Sequence, residues 1–181
     1  MKKLKIWQSF LIIVFMVILS VSCNKDDEIA LDFDITVPDN WTWFILGNEG
    51  LVYSAQRNAE STEDSLREFL LIYKEPLPGY NLQLYYTQRK GAIMASDFYV
   101  STVVDDDTVY NGSACKRFIY REAGKYISQS QDTFDVDLIT SDYLFFNKDN
   151  GYFLNFVTVD TLFDTYGPIF NDIMSTFQFK N

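Results

Sequence analysis

The chain has 181 residues, a length that fits one domain with an address segment in front of it. Residues 1–22 hold Lys2, Lys3 and Lys5 and no acid, so the remainder has 12 basic against 25 acidic residues, a formal charge of −13. That balance argues against nucleic acid, which needs clustered Lys and Arg, and against electrostatic docking on anionic lipid; 48% apolar and 17% aromatic residues argue against disorder.

Met1 to Lys5 is a positive n-region, Phe10 to Leu19 an unbroken run of ten apolar residues, and Ser20-Val21-Ser22 a small-residue stretch running into Cys23. This is the order of parts in a secretory signal. A transmembrane helix needs about 20 apolar residues, and the run is too short for one. Leu19-Ser20-Val21-Ser22-Cys23 resembles the lipobox of bacterial lipoproteins. The resemblance implies a signal peptide over 1–22, cleavage before Cys23, and lipid attachment at Cys23. Two or more acyl chains then make membrane attachment stable. Asn24-Lys25-Asp26-Asp27-Glu28 resembles the acidic export signal of some surface lipoproteins, which implies outer-membrane anchoring with surface exposure. Residues 23–30 read as lipidated Cys and acidic tether, and 31–181 as the folded domain.

In the domain, Leu31 to Val37 alternates apolar and polar as a half-buried strand does, and Pro38-Asp39-Asn40 breaks it. Trp41 to Leu46 and Leu51 to Gln56 read as strands around Gly47-Asn48-Glu49-Gly50. An acidic loop, Asn58 to Asp64, precedes an apolar run at Phe69 to Tyr73. After Pro76 and Pro78, Asn81 caps a helix in which Leu82, Tyr85, Tyr86, Arg89 and Ile93 share a face. Strands resume at Phe98 to Val104 and Ala114 to Arg121, whereas Tyr126 to Asp137 has no clear pattern. Leu138 to Asn147 and Tyr152 to Val159 flank Lys148-Asp149-Asn150-Gly151, where Asn-Gly is expected to supply the positive φ of a hairpin turn. A second helix follows, with Leu162, Phe163, Tyr166, Ile169, Phe170, Ile173, Met174 and Phe177 on one face; Pro168 kinks it or starts its main segment. The expected fold class is α+β, an antiparallel sheet of six or seven strands with helices packed on it.

The strand leading into Pro38-Asp39-Asn40-Trp41, the Ser113 to Tyr120 strand after Asn111-Gly112, and Gly151 to Val159 leading to Phe163-x-x-Tyr166-x-Pro168-Ile169-Phe170 and Ser175 to Phe179 together resemble the PsbP-like superfamily, which includes DcrB-like lipoproteins. The resemblance spans about residues 31–180 and implies a sandwich of helices around an antiparallel sheet. It implies an accessory or binding protein more than an enzyme. The metal-associated histidines of the superfamily's plant members have no counterpart in this chain.

The sequence contains no histidine at all. Ser-His-Asp and Cys-His catalysis are therefore impossible, as is an H-E-x-x-H metal helix. Cys115 reads as a small core residue, without the basic partner a nucleophile needs. Asp105-Asp106-Asp107 lacks the order of a calcium loop and reads as a solvated turn. Asp135 and Asp137 share a strand face and are candidates for a cation or a carboxylate pair. Trp41, Trp43, Tyr53, Tyr85 and Tyr86 are candidates for an aromatic platform, although most aromatics in so rich a chain are expected to be core, Trp43 being the one singled out as a candidate for exposure. Asp64-Ser65-Leu66, Asp107-Thr108-Val109 and Asp160-Thr161-Leu162 resemble an O-glycosylation motif. The expectation is a non-catalytic, membrane-anchored binding or accessory module with no cofactor, no metal and an envelope protein or glycan as partner. The alternative is a carboxylate-dependent hydrolase of surface glycans.

Overall fold

The computed structural model describes residues 30–60, 67–127 and 133–180. The leader, Cys23, the acidic tether to Glu28 and the Asp64-Ser65-Leu66 triplet lie outside these residues. The elements in chain order are β1 (Phe33–Asp34), β2 (Trp41–Ile45), β3 (Gly50–Arg57), β4 (Phe69–Pro76), α1 (Leu82–Met94), β5 (Tyr99–Tyr110), β6 (Ser113–Ile127), β7 (Thr133–Asn147), β8 (Asn150–Val159), α2 (Phe163–Thr176) and β9 (Gln178–Phe179), with a 3-10 turn over Asp160–Leu162. Strands β2 to β8 form one sheet in the order β2-β3-β4-β8-β7-β6-β5, while β1 and β9 pair as a separate ribbon. The chain lays down β2, β3 and β4 as a meander, crosses to the far edge through α1, and returns by β5, β6 and β7 until β8 meets β4.

Strand alternation sorts the two faces. Tyr143, Phe145, Tyr152, Leu154 and Phe156 point to one side, where Phe170, Ile173 and Met174 of α2 and the following Phe177 cover them. Phe118, Tyr120, Leu144 and Phe153 point to the other side, beneath Tyr85 and Tyr86 of α1. The expected class, α+β with helices on an antiparallel sheet, is the one observed. Burying an aromatic side chain of this kind contributes about 1.5–3 kcal/mol, so the many fully buried Phe residues carry much of the stability.

Two local features position α1. The Asn81 side chain accepts a hydrogen bond from the Leu84 amide at 2.9 Å, satisfying a donor the helix start leaves open. Across from the helix, Gly151 leaves room for a ring: a Cβ there would stand 2.8 Å from Tyr85 Cε1. Glycine is needed at this position for close approach, since the turn φ values lie elsewhere. Lys148 (φ 48°) and Asp149 (φ 60°) are the positive-φ residues of this hairpin. Asn150 and Gly151 belong to β8, with Asn147 and Asn150 closing the turn. The expected Asn-Gly turn is therefore displaced by two residues.

Four other expectations change. The first strand shrinks to Phe33–Asp34, because its partner among the described residues is the two-residue β9. Asp105, Asp106 and Asp107 are part of β5, opposite Phe118, Arg117 and Lys116, and no turn forms there. The turn that ends β5 is Asn111-Gly112, both at positive φ (45° and 81°). Pro168 lies inside α2, not at its start; it leaves the Asp164 carbonyl without its i+4 donor. The unclear stretch around Tyr126 to Asp137 contains the ends of the long hairpin formed by β6 and β7.

Candidate functional site: a groove beside β2

A groove of about 580 Å³ opens on the α2 face of the sheet, between β2, β3 and the extended segment that precedes Pro38. Its inner wall is Leu31, Phe33, Ile35 and Val37, and its outer wall is Trp43, Ile45 and Tyr53. Leu31, Ile35 and Val37 also pack partly into the core, and this contact sets the depth of the wall. The Trp43 and Tyr53 rings stack at 6.1 Å with 16° between planes. Burial pushes the Tyr53 phenol up to about 12, so it remains a neutral donor. At the rim, Asp34 is ion-paired with Lys180 at 3.1 Å.

The inner wall is fixed by the residues that carry it. The Asp32 carboxylate Oδ2 accepts from Lys74 Nζ at 2.7 Å and from Tyr152 Oη at 2.5 Å. Burial opposes its ionisation, but these two hydrogen bonds outweigh burial and hold the carboxyl below its usual range. Phe33 is almost wholly buried and meets Phe177 at 5.3 Å and Tyr152 edge-on at 6.3 Å. Thr36 completes the attachment by donating its amide to Thr176 Oγ1 at 2.8 Å.

The aromatic platform does not assemble. Trp41 is buried against Phe170 of α2, and Tyr85 and Tyr86 lie on the opposite face of the sheet. Trp43 is 54% exposed and stands in the groove with Tyr53 beneath it. Strand alternation places Trp43 and Trp41 on one face, but α2 reaches only as far as Trp41.

Four of the five acidic candidates are engaged in ion pairs. Asp106 receives a bidentate pair from Arg117, at 2.9 and 2.6 Å, and Asp107 meets Lys116 at 2.5 Å. Asp105 bonds both Lys90 and Tyr86 of α1; burial resists its ionisation, yet the two donors hold its carboxyl below the usual range. Asp135 meets Lys125 at 3.3 Å, and Asp137 is exposed on the same strand face. Among the described residues no three Asp, Glu, Cys or His side chains group as cation ligands. Cys115 is buried and unpaired, and burial raises its thiol pKa, which keeps it from acting as a thiolate. Thr108 is half-buried in β5, and Thr161 is exposed in the turn before α2.

Sequence reasoning missed Asp142. It is fully buried under α1, with Asn155 Nδ2 donating to Oδ1 at 2.6 Å and Oδ2 unpaired. Burial raises its pKa to about 7, against the pull of Asn155, Tyr120 and Arg89. The signal was present in the hairpin: residues 142 and 155 are equidistant from the Lys148-Asp149 turn and stand opposite each other as partners. Asp142 is wholly buried, a core acid beneath α1.

This arrangement, a seven-stranded antiparallel sheet covered on both faces by helices, is PsbP-like. The solution structure of cyanobacterial PsbP (CyanoP) from Synechocystis sp. PCC 6803 is similar, with a TM-score of 0.53 at 15% identity over 82% of this chain and 86% of that one. The crystal structure of LpqN, described as involved in cell envelope biogenesis of Mycobacterium tuberculosis, is similar at TM-score 0.55 and 11% identity, over 87% and 88%. At these identities the likeness is one of fold. No family model and no curated protein matches the sequence.

Proposed function

We propose that the chain is an exported lipoprotein, cleaved before Cys23 and anchored by lipid there, whose domain is a non-catalytic binding or accessory module of the cell envelope. The observation that carries the binding part is the groove: one wall is a stapled apolar segment and the other the Trp43–Tyr53 stack. Pockets of a few hundred Å³ with apolar and aromatic walls are the usual form of a ligand site. The envelope setting draws on the lipobox-like sequence and on the description of LpqN. Outer-membrane anchoring with surface exposure follows the acidic tether. A glycan hydrolase needs two carboxylates across a cleft, whereas the groove lining contains Asp34, which is tied to Lys180.

Three measurements test this reading. Metabolic labelling with an alkyne fatty acid should mark the wild type and leave Cys23→Ala unlabelled. Native mass spectrometry of protein taken from envelope membranes should show a bound small molecule in the wild type that Ile45→Glu lacks. Label on the alanine variant would refute the anchor. Turnover of a glycan panel would refute the non-catalytic assignment.

A further inference from the structure

The two edges of the sheet both expose apolar side chains, with Val100, Val103 and Val109 of β5 57%, 38% and 64% exposed, and they differ in charge. β5 carries Asp105, Asp106 and Asp107 in a row and two bulges, features that blunt an edge against pairing. β2 reads Trp-Thr-Trp-Phe-Ile and bears no charge, and its Trp43, Phe44 and Ile45 are 54%, 48% and 38% exposed. Alternation sends Trp43 and Ile45 to the α2 face and Phe44 to the other, so apolar surface wraps the edge on both sides. With strands spaced ~4.8 Å apart, the two edges stand about 29 Å from each other.

The path of the chain adds a second observation. Ala30 and Leu31 stand in the wall of the same groove as Trp43 and Ile45. From Cys23 to Ala30 the chain spans at most about 25 Å. Because Asp32 and Phe33 are stapled to the core, this short span is all the slack between an anchored Cys23 and the groove.

We infer that the β2 edge, through Trp43, Phe44 and Ile45, rests in the interfacial layer of the bilayer that holds Cys23, with the groove opening onto lipid. This inference rests on the lipoprotein reading above. Tryptophan favours the membrane–water interface because its ring is amphipathic. The uncharged β2 edge suits a domain whose acidic balance argues against electrostatic docking on an anionic surface. An added peptide strand would account for an open edge but leaves the outward Phe44 on the other face unused, whereas a lipid surface contacts both sides.

The test uses the full chain purified from membranes, with its mass read first, then reconstituted into phosphatidylcholine vesicles with or without brominated acyl chains. Bromine should quench Trp43 emission, and Trp43→Phe should lose most of that quenching because Trp41 is buried. A reporter at the far edge, Val109→Trp in the Trp43→Phe background, should stay unquenched. An unmodified Cys23 overturns the anchor and this orientation with it. Lipidated protein whose Trp43 is unquenched, or quenched no more than the Val109 reporter, overturns the orientation alone. A Trp43 shielded from aqueous acrylamide yet untouched by bromolipid means that protein covers the edge, and also overturns it.

Discussion

Replacing Asp142 by Asn should stabilise the domain, and by an amount that depends on pH. Asp142 is fully buried with a pKa near 7, against an ordinary value of 3.8. An acid whose folded pKa lies above its unfolded one holds more protons when folded. Stability therefore falls as pH rises from about 4 to about 7 and is level above that. The difference between 3.8 and about 7 corresponds to about 4 kcal/mol at pH 8. Asn keeps the oxygen that accepts from Asn155 and removes the ionisation, so Asp142→Asn should recover that amount at pH 8 and little at pH 4. For a domain of this size, about 4 kcal/mol is a rise in Tm of roughly 8–16 °C. Thermal melts of both proteins between pH 4 and 8.5 give the comparison directly. Parallel curves across that range, or an asparagine variant less stable than the wild type at pH 8, would refute the reasoning.

Other changes have separate expected outcomes. Glu68→Ala removes the partner 2.5 Å from the buried Arg57 and the acceptor of Thr158, and should cost about 3 kcal/mol or more in denaturant unfolding. Gly151→Ala drives a methyl into the Tyr85 ring and Leu77, and should cost about 1–3 kcal/mol, with faster amide exchange in α1 than in β7. Tyr152→Phe deletes the hydrogen bond to Asp32, worth about 1.5–3 kcal/mol for a charged acceptor; hydrogen exchange should rise over 31–37 first. Cys115 should resist iodoacetamide until the protein unfolds, and rapid labelling of the native state would contradict its burial.

Much of the fold was legible because the turns were. Asn111-Gly112 was readable as a turn, and Lys148 to Gly151 marked a hairpin although its positive φ falls on Lys148-Asp149. Asp105 to Asp107 was misread because three acids in a row resemble a loop when taken locally. Their partners Lys116 and Arg117 lie across the hairpin and Lys90 lies on α1, and the strand is affordable only once these are in place. Counting outward from Asn111-Gly112 would have paired Asp106 with Arg117. The groove was only half visible: Trp43 was singled out only as a candidate for exposure, and the inner wall needs the Asp32 staple, which joins residues 42 and 120 positions apart. Adjacency of that kind leaves no local pattern.

The pairing of β1 with β9 brings the beginning and end of the domain to one seam: Phe33 stands opposite Phe179, and Lys180 donates its amide to the Asp32 carbonyl at 2.9 Å. The fold is thus close to a ring in its topology, and a short linker from Lys180 to Ala30 should yield a circular permutant with the seam intact. The same closure constrains reporters. A fluorescent protein fused after Lys180 would emerge at the tether and pry at the seam that holds the groove wall. An insertion in the Lys148-Asp149 turn would leave that seam closed.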